Sequence, residues 1–197
     1  AIGDRAAALA LTILERAARE AGVREPRSRL EHAQVLREED FGRLARAGVI
    51  ASVQPIHQVA DMGWVERRLG PQRLARAYAW RSLLNAGACL AFGSDFPIEE
   101  PNPLRTLHAA ITRQDEHRRP AGGWEPDQRL TAAEALEACT RGAAFASFEE
   151  RQLGRVAPGM RGDLTVLDVD PLDCDPWRLV EGRAVLTLVG GRVVFER

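Results

Sequence analysis

The chain has 197 residues, 45% hydrophobic and 28% charged, with 27 basic against 28 acidic side chains and a formal charge of -1. That is room for one large globular domain, or a domain with a small appendage. The interspersed charge argues against nucleic acid or an anionic membrane as the main partner.

Every basic residue is Arg, so neither a Schiff-base lysine nor a P-loop lysine can come from these residues. Cys89, Cys139 and Cys174 are odd in number and show no CxxC zinc or redox spacing, and Cys89 and Cys139 fall in expected buried elements, where cysteine behaves as a small hydrophobe. No apolar run approaches the roughly 20 residues needed to cross a bilayer, and no signal peptide is visible, which makes a reducing, cytoplasmic location the expectation. The first residue is Ala1, inside what reads as a motif, so a piece of a longer protein is expected.

Residues 4–21 place Ala7, Leu11, Leu14, Ala18 and Ala21 at helical spacing, with Asp4 as a cap and Gly22 as a stop. Pro26 breaks the chain, and 28–32 follows as a short strand that delivers His32 to its end. Residues 38–47 return to helical spacing until Gly48. The β-branched run 49–53 is the clearest strand, and His57 lies just beyond it. Helix is expected again from Asp61, interrupted at Gly70 and Pro71 and ended at Gly87. Residues 89–92 are apolar on both faces and read as a buried strand running into Gly93, Ser94 and Asp95.

Asn102 and Pro103 open a helix through Leu104, Leu107, Ala110 and Ile111. Residues 114–127 form a polar loop, in which Trp124 is either a rim contact or a packing anchor. Thr131 and Glu134 make a capping box for a helix to about Ala146. After Gly154 the period turns to alternation, with strands at 163–168, 184–189 and 192–196 and a Gly190-Gly191 hairpin turn.

Alternating helices and strands imply a parallel sheet with helices outside it. In such sheets chemistry collects at the carboxyl ends of the strands, where His32 and Asp95 stand. A carboxylate there is costly unless a cation or proton partner meets it, although Asp95 could equally cap the turn before Pro97. Trp80 and Arg81 read as packing residues, Arg81 with a second possibility of bracing the site. His108 and His117 read as ordinary packing or surface residues, and Glu31 as facing away from His32 toward an Arg.

The runs Ala1-Ile-Gly-Asp-Arg-Ala6, Leu30-Glu-His-Ala-Gln34, Ser52-Val-Gln-Pro55 with His57 and Asp61, Trp80-Arg-Ser-Leu-Leu84, Phe92-Gly-Ser-Asp-Phe-Pro97, Gly122-Gly-Trp124 and Leu130-Thr131 resemble the amidohydrolase superfamily. The nearest branch is amidohydrolase family 3, which contains N-substituted formamide deformylases. The tail, Pro158 to Asp168 with Val189-Gly-Gly-Arg-Val193, resembles the end of that superfamily.

This resemblance implies an α/β fold: the C-terminal half of a TIM-type (β/α)8 metallo-hydrolase barrel over residues 1–150, then strands of a small β-sandwich over 151–197. It implies that His32, at the end of strand six, ligates a divalent metal. Asp95, at the end of strand eight, would touch the metal and move the proton. His57, after strand seven, would donate to the substrate carbonyl or its oxyanion. The cofactor implied is zinc or a similar ion, one or two in the complete protein. The reaction implied is hydrolysis of a C–N bond in a small amide, formamide or cyclic amide. The alternative is a non-catalytic binding or regulatory relative on the same scaffold.

The family's His-x-His pair and its carboxylated lysine or acid have no counterpart in this sequence. His32 and Asp95 alone are too few ligands for a catalytic zinc site. The expectation is therefore weak metal binding and no hydrolysis by this chain alone, and homo-oligomer formation through uncovered strand edges.

Overall fold

The computed structural model describes all 197 residues. Three short parallel strands lie at its centre in the order β1 (Arg29–Glu31), β2 (Ile50–Val53), β3 (Leu90–Phe92). Leu30 is opposite Ala51, and Val53 opposite Phe92, so the three strands end nearly level. β3 is buried along its whole length, as its apolar sequence requires. The connections run α2 (Glu38–Arg46) between β1 and β2, then α3 (Pro55–Leu69), α4 (Pro71–Leu74) and α5 (Trp80–Asn85) between β2 and β3.

Helix α1 (Asp4–Ala21) precedes the sheet and buries Ala7, Ala8 and Leu11. It ends as expected at Gly22, whose φ of 64° is the left-handed conformation glycine adopts without cost. Asp4, read as the cap, is instead the first helical residue, and Gly3 takes the cap position. A carboxylate in the first turn still meets the positive end of the helix.

After β3 comes α6 (Pro103–Thr112), where Asn102 Oδ1 accepts from Leu104 N at 3.0 Å. The helix expected from Thr131 to about Ala146 is present as one continuous run over 132–146, with a π-wound middle. α7 (Ala132–Glu137) and α8 (Ala143–Ala146) flank a π-helical segment, Ala138–Gly142. Gly142 ends that segment against β3: a Cβ there would stand 2.1 Å from Leu90 O, so only glycine lets this turn press directly on the strand.

The remaining strands, β4 (Leu164–Leu167), β5 (Ala184–Val189) and β6 (Arg192–Glu196), make a separate antiparallel sheet in that order. Gly190 and Gly191, at φ 58° and 76°, close its hairpin. Between β4 and β5 lies a short helix the sequence pattern does not announce, α9 (Arg178–Glu181). Its Leu179 is buried in the same core as Trp80, Leu83, Leu44 and Val53.

Trp124 is a packing anchor. Its ring and that of Trp80 enclose the guanidinium of fully buried Arg113, which donates to Trp124 O and Tyr78 O at 2.6 and 3.0 Å. Arg81 does not reach the strand ends; it pairs with Glu134 and donates to Arg129 O. Glu31 pairs with Arg29 at 3.0 Å, on the exposed side of β1. No helix is long and apolar enough to cross a membrane.

Candidate metal centre

His32 is the first residue past β1. Its amide donates to Ser52 O at 2.8 Å, continuing the ladder for one bond, but its φ of 70° turns the chain abruptly out of the strand. Ala33 follows at φ 44°. Left-handed geometry costs an L-residue about 1–2 kcal/mol, so two in succession are held by their surroundings.

Asp95, three residues past β3, is also left-handed at φ 57°. Its backbone carbonyl accepts from Ile98 N at 2.8 Å, which closes the turn and leaves the carboxylate outside it. That carboxylate is exposed and has no ion-pair partner. The turn-capping alternative is therefore carried by its backbone, not its side chain.

His57 is not on a loop. Helix α3 begins at Pro55, which is suited to a first helical position because its missing N–H is not needed there, with Gln54 before it in extended conformation. His57 thus stands in the first turn of α3, only 9% exposed. The helix had been expected from Asp61; it starts six residues earlier.

These three side chains converge. One ligand atom from each of His32, His57 and Asp95 lies within 4.8 Å of the other two. The imidazole rings are nearly parallel, 5.9 Å apart at 24°. His32 Nδ1 faces Gln54 Oε1 at 3.0 Å, a pairing that puts the proton on Nδ1 and leaves Nε2 bare. His57 Nε2 is buried and has no hydrogen-bond partner at all. An orphaned buried ring nitrogen is unusual in a folded protein and asks for an explanation. Two imidazole nitrogens and a carboxylate suit a divalent ion with bonds of about 2.1 Å, and a small closure of the side chains would bring all three to it. The residues present therefore fit a metal.

Gln54 is a site residue that the sequence reading passed over. Its signal was positional: it directly follows β2, beside the strand that His32 directly follows. His108 and His117 lie apart. His108 is buried edge-on against Trp177, and His117 is exposed beside Glu116.

Comparison with known proteins places the chain in a family. YtcJ of Bacillus subtilis (strain 168) is 34% identical over 197 residues, all of this chain and 37% of its own length. The N-substituted formamide deformylase of Arthrobacter pascens is 32% identical over 173 residues, 86% of this chain and 31% of the enzyme. A crystal structure of an uncharacterized metal-dependent hydrolase from Pyrococcus horikoshii OT3 superposes with a TM-score of 0.77 at 31% identity, over 89% of this chain and 34% of that one. The chain spans about a third of the length of the curated relatives it matches. A model of the amidohydrolase family, Amidohydro_3, matches residues 1–195, and the chain belongs to that family.

Proposed function

We propose that His32, His57 and Asp95 are the part contributed by this chain to the metal centre of a hydrolase that cleaves C–N bonds in small amides or formamides. The observation that carries this reading is the convergence of the three ligand atoms within 4.8 Å, with His57 Nε2 buried and unpartnered. The formamide deformylase among its relatives supports the bond type. The three level parallel strands, with all three side chains at one end, support placement in a (β/α)8 barrel. Zinc is the ion proposed, because a donor set of two imidazoles and a carboxylate is one that catalytic zinc sites use.

When bound, such an ion supplies Lewis acidity and brings a water's pKa down toward about 7. Asp95 has an unpaired, exposed carboxylate on a turn fixed by its own backbone. It takes the proton of the attacking water and returns it to the departing nitrogen. Gln54 holds His32 with Nε2 outward, and the first turn of α3 holds His57 opposite. Relative to the expectation that His57 serves the substrate's oxygen, a ring nitrogen of His57 lies within 4.8 Å of ligand atoms of His32 and Asp95, and we assign it to the metal.

The test is zinc titration of the chain and of His32→Ala, His57→Ala and Asp95→Ala variants, with hydrolysis of N-substituted formamides assayed in the whole protein. Loss of binding in all three is expected. A His57→Ala variant that binds zinc normally returns His57 to the substrate role, and normal hydrolysis by Asp95→Ala overturns the mechanism.

A further inference from the structure

Three polar side chains behind the ligand cluster have no part in the proposed chemistry. Gln34 lies two residues past His32. Asp61 lies on α3 one helical turn past His57, on the same face. Tyr78 sits on the connector between α4 and α5. The Tyr78 hydroxyl donates to Asp61 Oδ2 and accepts from Gln34 Nε2, both at short range, and Gln34 Nε2 also stands 3.4 Å from Asp61 Oδ2. Tyr78 and Gln34 are buried, and Asp61 is half-buried.

Backbone contacts double the link. Tyr78 N donates to Gln34 O at 2.7 Å, Leu36 N donates to Arg76 O at 3.2 Å, and Val35 and Ala77 form an antiparallel bridge. The turn that needs holding is this one, since His32 and Ala33 both have left-handed backbones and nothing intrinsic keeps them there. On the other side, His57 belongs to the first turn of a helix, a place where helices fray. Asp61 is the nearest anchored residue on its face.

We propose that Tyr78 is a positioning residue of the metal centre: its single hydroxyl ties the turn bearing His32, through Gln34, to the helix bearing His57, through Asp61, and so sets the separation of the two imidazoles. The assignment rests on reading those histidines as metal ligands. Burial, with the Asp61 carboxylate adding to it, holds the Tyr78 phenol above the ordinary tyrosine range, so the hydroxyl keeps its proton and goes on donating. A hydroxyl that merely satisfied the core would affect stability and leave the histidine rings unchanged.

Tyr78→Phe removes only the oxygen. Its zinc affinity, read by competition with a chromophoric chelator, is expected to fall about tenfold, as for other groups that support metal ligands indirectly. In the metal-free protein, the imidazole nitrogen resonances of His32 and His57 should shift or broaden. Asp61→Asn should act in the same direction. Trp124→Phe is the control, because the Trp124 ring lies edge-on to Tyr78 at 6.0 Å without a link to either histidine. It should lower the melting temperature and leave zinc affinity within about twofold of the unsubstituted chain, well short of the tenfold expected of a ligand-supporting group.

Unchanged zinc affinity and unchanged ring resonances in Tyr78→Phe overturn the proposal. Should that variant not fold, the same null result in Asp61→Asn overturns it. If the unsubstituted chain takes up no zinc, the metal reading fails, and the ring resonances alone decide whether Tyr78 orders the histidines.

Discussion

Gln54 Oε1 stands 3.0 Å from Nδ1 of His32, across the junction where β1 and β2 end side by side. Gln54 has two tasks there. Its extended backbone stops β2 and starts α3, and its amide oxygen fixes which nitrogen of His32 faces the site. Groups that orient a ligating imidazole in this way typically change metal affinity by about 10–100-fold when removed.

Gln54→Ala should therefore weaken zinc binding by about tenfold or more, with α3 still formed, because the cap position there uses no side-chain hydrogen bond. Isothermal titration with zinc, beside the far-ultraviolet circular dichroism of the variant, measures both. Gln54→Glu should keep the acceptor and retain most of the affinity. An alanine variant that binds like the parent shows that the ring of His32 is held by something else.

Gly142→Ala places a methyl group where the nearest atom, Leu90 O, is backbone and cannot swing aside. Overpacking of this kind costs about 1–3 kcal/mol when neighbours can give, and a carbonyl in a central strand gives little. The expected loss is near the top of that range, read as a shift of the urea midpoint. Because Leu90 begins the strand that leads into the turn bearing Asp95, the variant should also bind zinc less tightly once corrected for the unfolded fraction.

The sequence showed most of what positions the site. A β-branched run, an apolar run between glycines and a short segment after Pro26 gave β2, β3 and β1. His32 and Asp95 stood out because an imidazole and an acid followed those runs directly. What it concealed was set by contacts between distant residues. His57 was legible only as lying just beyond the strand at 49–53, ahead of a helix expected from Asp61, whereas Pro55 behind Gln54 starts the helix by backbone geometry. The π segment at Gly142 is invisible without knowing that Leu90 O presses on it. Asp61 drew notice only within a motif, since its partner, Tyr78, is 17 residues away.

His108 is a buried histidine apart from the site, 4% exposed, with its ring against Trp177 at 4.5 Å. Burial lowers its pKa from 6.5 to about 4, against a weaker upward pull from Asp115. The unfolded chain, with an ordinary histidine, binds a proton in that interval that the folded chain refuses. Stability contributed by this group is thus complete above about 6.5 and lost as pH falls toward 4. Melting temperatures across that window should drop more steeply in the parent than in His108→Gln. Parallel curves would mean that His108 opens to solvent before it is protonated.

Glu134 is the opposite case. Its carboxylate takes both ends of the Arg81 guanidinium, at 2.6 and 2.5 Å, and the amide and hydroxyl of Thr131 at 2.7 and 2.8 Å. Arg81 first, then Thr131, hold its pKa down to about 2 from 4.5. Between those values the unfolded chain takes up a proton and the folded chain does not, so this stabilisation is present above about 4.5 and disappears as pH falls to about 2. The pair is partly solvated, which limits its worth at neutral pH to about 1 kcal/mol. Glu134→Gln should lower the unfolding free energy read from urea titration at pH 7 by that amount, and the gap to the parent should close as pH drops below 4.5. A gap that persists unchanged at pH 3 would assign the loss to the capping geometry of α7, not to the charge on Glu134.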